Sequence, residues 1–192
     1  MLTKRHVFTF ILGGVALGLV FLSGGTIYAA HLENQDSFCA SCHTEPESTY
    51  VERKAAAAAS DLATRHNQEG VRCIDCHSGA GITGRLSAMT TGAGDFVSYR
   101  SGNYNDPAVI TTPYADDNCL KCHAEVTKTR TFERHFHALL PRWQQLAPAN
   151  AASCVDCHQA HVLDGIPELG FLQETPTTGV CNDCHRFIGE NE

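Results

Sequence analysis

All ten cysteines of this 192-residue chain fall in five copies of one pentapeptide, Cys-x-x-Cys-His. The copies are Cys39–His43, Cys73–His77, Cys119–His123, Cys154–His158 and Cys181–His185, with second cysteines Cys42, Cys76, Cys122, Cys157 and Cys184. This pentapeptide attaches c-type haem: two thiols bond the porphyrin, and the histidine becomes an iron ligand. His43, His77, His123, His158 and His185 are therefore the expected proximal ligands, and five covalently bound haem c groups the expected cofactors. Nothing constrains the fold more. Five porphyrins shared among the 162 residues after the N-terminal segment leave about 32 residues each, so haem should form much of the interior and the polypeptide a wrapper.

Other uses of paired cysteines fit less well. A structural zinc site takes four ligands and does not require a histidine directly after the second cysteine, yet one follows in every copy here. A thioredoxin-like motif would occur once, beside a βαβ pattern. Disulfides suit an oxidising compartment but leave the histidines unexplained.

Residues 7–30 are almost free of polar side chains. As a helix, these 24 residues reach about 36 Å, enough to cross a hydrocarbon core of about 30 Å with some tilt. Lys4 and Arg5 precede the run, and Glu33 and Asp36 follow it. The positive-inside rule then places the N-terminus in the cytoplasm and the rest across the membrane. A cleaved signal peptide is the alternative. Its apolar region is normally shorter, and Ile27 and Tyr28 interrupt the small-residue pattern near Ala29 and Ala30. The expected organisation is a cytoplasmic tip (1–6), a transmembrane anchor (7–30) and an extracytoplasmic pentahaem domain (31–192). The expected location is the bacterial inner membrane, crossed once.

Outside the anchor, 12 Lys and Arg face 21 Asp and Glu, a balance of −9. That argues against nucleic acid as a partner and suits a redox partner with a basic docking patch.

The fold class expected is mainly α, with short helices, long loops and little β structure. Motifs begin at 39, 73, 119, 154 and 181, too unevenly for a strict repeat, although duplication of a two-haem unit would fit. A helix is expected from Pro46 through Ala55–Ala59, ending before a cap at Gly70. Residues 78–102, with six glycines, read as a loop whose weakly amphipathic part could lie on the membrane interface. Residues 103–117 should be extended. A second helix is expected from Glu125 to Leu140, stopped by Pro141. The tail after Leu163 reads as loop up to the last motif.

Six histidines remain outside the motifs. His6 lies on the cytoplasmic side, which leaves His31, His66, His135, His137 and His161 for five distal ligand positions. His135 and His137 are about 200° apart around a helix, so they should serve different haems. Met89 is the one thioether alternative.

With these elements placed, most of the chain resembles the NapC/NirT/NrfH family of membrane-anchored multihaem quinol dehydrogenases. The resemblance rests on one N-terminal anchor, Phe38–His43 soon after it, Gly70–His77 after a histidine-bearing helix, and Cys184–Gly189 at the end. It implies electron transfer from menaquinol or ubiquinol at the membrane surface to a periplasmic reductase or another cytochrome. Two departures stand out: typical members carry four haems, and some have methionine where this chain has Glu45. Quinol oxidation also releases protons. Glu45, Glu47 and Asp95 are candidate acceptors, and Arg85 a candidate contact for a quinone oxygen. Alternatives are a relay subunit of a larger respiratory or photosynthetic complex without its own quinol site, an extracellular cytochrome filament, and a haem enzyme acting on nitrite or hydroxylamine. The supply of histidines opposes the last, and a retained anchor opposes the filament.

Overall fold

The computed structural model describes residues 4–41, 45–110 and 113–190. Helix α1 (Lys4–Leu32) contains a 25-residue stretch, Phe8–Leu32, of mean hydropathy 2.0, with its apolar side chains exposed. A helix apolar on all sides suits a hydrocarbon environment.

Eight further helices follow: α2 (Asp36–Cys39), α3 (Glu47–Arg53), α4 (Leu62–Gln68), α5 (Cys73–His77), α6 (Gly81–Ser101), α7 (Asp117–His123), α8 (His135–Leu146) and α9 (Glu174–Glu190). Short 3-10 turns at Ala124–Thr127, Phe132–Arg134, Cys154–Asp156 and Pro167–Leu169 connect them. Among the described residues there is no strand, only the antiparallel bridge Ile166–Leu172. The fold is mainly α with long connections.

Most of these helices are too short to hold themselves in water, so tertiary contacts decide where they end. The expected helix through Ala55–Ala59 breaks after Arg53. Arg53 Nη1 is pinned to Asp61 Oδ2 at 2.7 Å and to the His161 carbonyl at 2.9 Å. Asp61 then caps α4, accepting from Thr64 N at 2.7 Å. Ala55–Ala58 stay exposed and non-helical. Gly70, at φ +83°, closes α4 as expected.

Residues 81–101 correct the loop expectation. They form a continuous 21-residue helix, α6, closed by Gly102 at φ +72°. Helical glycine costs only about 1 kcal/mol relative to alanine. One glycine pair here has a packing reason: a Cβ on Gly79 would sit 2.5 Å from the Gly84 backbone. The second expected helix is also displaced. α8 begins at His135 and runs through Pro141 to Leu146. Burial of Leu140 and Trp143, each 4% exposed, holds it across the proline. In the tail, α9 starts at Glu174, seven residues before the last motif.

The apolar core made by protein alone is small and lies toward the C-terminus. Leu140, Trp143, Ala152 and Cys184 are buried together, with Phe136, Val180 and Phe187 against them.

Candidate metal centres

Among the described residues, the second to fourth motifs sit on short helical turns and the fifth on the longer α9, and neighbouring motif segments touch. α2 packs on α5, α5 on α7, and α9 on the Cys154–Asp156 turn. Polar contacts join each successive pair. Asp36 Oδ1 accepts from Cys73 N at 3.2 Å. Lys121 Nζ donates to the Asp75 and Gly79 carbonyls at 2.6 and 3.0 Å. Asp116 Oδ1 accepts from Cys154 N at 2.7 Å. Gln173 N donates to the Cys157 carbonyl at 3.0 Å. The nine described motif cysteines are free of disulfides.

Four motif histidines each face one histidine from elsewhere in the chain. The His77 and His161 rings lie near-parallel, at a centroid distance of 6.4 Å and an interplanar angle of 13°. His158 and His137 lie 6.2 Å apart at 21°. His123 meets His66 edge-on at 5.9 Å and 87°, and His185 meets His135 at 6.3 Å and 64°. Thus His135 and His137 turn to different motifs.

These pairs have the spacing that a haem iron asks of its two axial imidazoles. An imidazole nitrogen binds a first-row metal at about 2 Å, so two rings flanking one metal have centres roughly 6 Å apart. Among the described residues, no three His, Cys, Asp or Glu side chains gather as a metal site. Opposed pairs suit a metal whose other four ligands come from porphyrin; they do not suit tetrahedral zinc.

The rings are also held as ligands need to be. The Nδ1–H of His66 donates to Leu62 O at 2.9 Å, that of His135 to Phe132 O at 2.6 Å, and that of His158 to Gly170 O at 2.9 Å. Each such bond leaves Nε2 free for metal. Burial lowers the pKa of His77, His137 and His161, keeping them in the neutral, metal-binding form. Nδ1 of His137 and of His161 is buried without a hydrogen-bond partner.

His161 has the most elaborate support. Tyr50 stacks on it at 4.1 Å and 7°, and the Arg53–Asp61 pair holds its carbonyl. Burial alone would raise the pKa of Asp61, but the Thr64 hydroxyl, the Thr64 N–H and Arg53 outweigh it and hold the carboxyl low.

The first motif is less complete. Cys42 and His43 lie outside the described residues. His31 is exposed on the last turn of α1 and makes no ring contact among the described residues. Met89 is half-buried on α6.

The quinol-site candidates have the following surroundings. Arg85 is ion-paired with Glu33 at the end of α1. Glu45 accepts from the Ser48 and Thr49 hydroxyls at 2.8 and 2.9 Å, beside the start of α3. Glu47 is half-buried, has an Oε2 without a partner, and acts electrostatically on His77. Asp95 is exposed on α6, ten residues or about 15 Å along the helix from Arg85.

Sequence reasoning missed Tyr50, Arg53, Asp61, Lys121 and the pair Asp36 and Asp116. A signal existed for the last two: each stands three residues before the first cysteine of a motif.

Residues 1–109 match the model of the NapC/NirT cytochrome c family, N-terminal region. The chain belongs to the NapC/NirT cytochrome c family. Residues 103–186 of this NapC/NirT cytochrome match the cytochrome c3 model. The cytochrome c-type protein NapC of Paracoccus pantotrophus is 23% identical over 187 residues, covering 92% of this chain. The chain spans 66% of that relative's length, just under two thirds. No solved structure matches. The protein is thus a multihaem c-type cytochrome that transfers electrons and carries covalently bound haem c. Its apolar N-terminal helix fits a single-pass inner-membrane protein.

Proposed function

We propose that this cytochrome carries five haem c groups and conducts electrons from the membrane quinol pool to an extracytoplasmic acceptor. The observation that carries this reading is the serial contact of the motifs, which starts beside the end of α1 and continues through four opposed histidine pairs. Bound haem supplies a one-electron Fe(III)/Fe(II) couple. The chain's own residues fix ligand geometry and spacing. His77/His161, His123/His66, His158/His137 and His185/His135 are the axial pairs in this reading, and His43 with His31 the ligands of the first haem. Cys39, Cys42 and the other eight cysteines form the thioethers. The first motif is the entry point, since only His31 to Phe38 separate it from the span. Residues 1–6 are cytoplasmic, 7–30 span the membrane, and 31–192 are extracytoplasmic.

Menaquinol or ubiquinol is the donor, and Glu47, with its unpartnered carboxylate oxygen, is the favoured proton acceptor. The recipient is a periplasmic reductase or another cytochrome with a basic patch, in a complex or through transient encounters. A second reading is a relay subunit without its own quinol site. It is favoured by Arg85 and Glu45 already being engaged within the chain.

Reconstitution in liposomes separates the two. Menaquinol or ubiquinol analogues should reduce the haems as far as the quinol's potential allows. Failure with both, while dithionite still reduces every haem, would leave the relay reading.

A further inference from the structure

α6 carries a continuous apolar stripe that no part of the described chain covers. At 100° per residue, Ile82, Leu86, Met89, Ala93, Phe96 and Val97 fall within one arc of about 100°. Ile82 is 81% exposed, Leu86 58%, Phe96 55% and Val97 65%, and no residue of the helix is buried. Ser87, Thr91, Asp95 and Ser98 lie on the opposite side. Such a face is larger than the scattered apolar residues ordinary on a soluble surface.

What lies beside the stripe identifies its occupant. Arg85, at the stripe's edge, is ion-paired with Glu33, the first residue after the apolar segment Phe8–Leu32. The N-terminal part of α6 is therefore tied to the point where α1 leaves the hydrocarbon. Arg100 falls on the stripe's line at its far end, where a long stem can lie on apolar surface while the guanidinium reaches phosphate. An exposed apolar face that ends in a cation and is fastened to a membrane exit suits a helix lying on the interface.

We propose that α6 docks on the outer surface of the same bilayer that α1 spans, with Ile82, Leu86, Phe96 and Val97 seated at the headgroup–acyl boundary. α1 and α6 then give the haem domain two attachments to the membrane, and α5, immediately before α6, is held close to the lipid surface. The inference rests on α1 spanning the bilayer and is independent of quinol being the donor.

The full chain in phospholipid nanodiscs, with a diazirine-bearing lipid activated by light and adducts mapped by mass spectrometry, tests it. Adducts should appear on α1 and on the Ile82–Val97 stripe, and be absent from α9. Labelling of α1 without α6 would overturn the proposal; absence of label from α1 would instead remove the span on which it rests, and the proposal with it. Thiol accessibility gives a second measure. Leu86→Cys should react with a charged maleimide at least about tenfold more slowly than Thr91→Cys in the same nanodiscs. Equal rates would overturn the inference, as would slow reaction without lipid adducts, which would mean that protein covers the face.

Discussion

In the described parts of residues 36–77 and 116–158, the contact between successive motifs follows one plan and differs at the partner of one aspartate oxygen. In each segment an aspartate three residues before the first motif cysteine accepts from the N–H of the next motif's first cysteine: Asp36 from Cys73, Asp116 from Cys154. In each, the second motif is Cys-x-Asp-Cys-His with its aspartate capping the preceding residue, Asp75 on Arg72 and Asp156 on Ser153. This is the form that duplication of a two-motif unit would take. The difference is at Oδ2. Asp36 meets the Lys54 ammonium, whereas Asp116 meets the Gln144 amide at 2.6 Å. The same scaffold contact is charge-compensated near the membrane end and charge-bearing in the second unit. The carboxylate's geometric task thus separates from its electrostatic one.

The histidine pairs allow the largest test of this comparison. If the proposed pairing holds, His161→Ala should convert one haem, that of the second motif, to a high-spin form visible by electron paramagnetic resonance. The three other pairs should be untouched. His137→Ala should do the same in the second unit. In the unaltered protein the near-parallel pairs, His77/His161 and His158/His137, should give a different low-spin signal from the steeply crossed His123/His66 and His185/His135. A single signal class for all haems would break the matching of the second and fourth motifs.

Removing the aspartates comes next. Asp36→Ala leaves a lysine ammonium and a backbone N–H without their partner. Loss of one member of a buried ion pair costs about 3–5 kcal/mol. The lower end applies here, because the Lys54 side chain is 31% exposed. Asp116→Ala strands neutral donors and should cost about 1–2 kcal/mol. Guanidinium unfolding of the holoprotein, followed in the Soret band, checks the order, and equal losses would show that Lys54 is incidental.

The reach of sequence reasoning follows the range of the interactions. The pentapeptides encode local covalent chemistry, and the span needs only composition, so both could be read directly. His66, His135, His137 and His161 were accessible because few other histidines exist. The geometry that pairs them was not, since His161 reaches His77 from 84 positions away and is held by Arg53 and Asp61. Helix limits failed for the same reason. Ala55–Ala59 have high intrinsic propensity but no face to bury, and Arg53 turns the chain away. Glycines in α6 read as loop, yet each costs a helix only about 1 kcal/mol, which a 21-residue helix absorbs. Pro141 reads as a helix stop by local sterics alone, but burial of Leu140 and Trp143 carries α8 through it.

Acid should loosen the first unit. Burial alone would raise the Asp36 pKa, but Lys54 and the Cys73 N–H outweigh it and hold the carboxyl below its ordinary 3.8. A carboxylate lowered in the folded state contributes stability above its unfolded pKa, and that contribution is lost as pH falls through the folded value. Asp61 acts in the same direction. Unfolding midpoints should therefore fall as pH drops below about 4. Asp36→Asn should flatten that dependence; an unchanged slope would assign it to other carboxylates.

The smallest effect separates charge from geometry most cleanly. Gln144→Lys supplies the second unit with the ammonium that Lys54 supplies to the first, while Asp116 still accepts from Cys154. A nearby cation favours the reduced, less positive iron, so potentials at the third and fourth motifs should rise by tens of millivolts. Lys54→Gln should shift the first and second motifs the opposite way, because the same Coulomb interaction is then removed. Both shifts should shrink little with added salt, since partly buried pairs are weakly screened. Spectroelectrochemical titration of the two variants against the parent reads both shifts. Opposite signs would mean that the lysine acts through the Asp carboxylate's charge. Shifts of one sign, or none, would mean that the aspartates only hold neighbouring motifs in register.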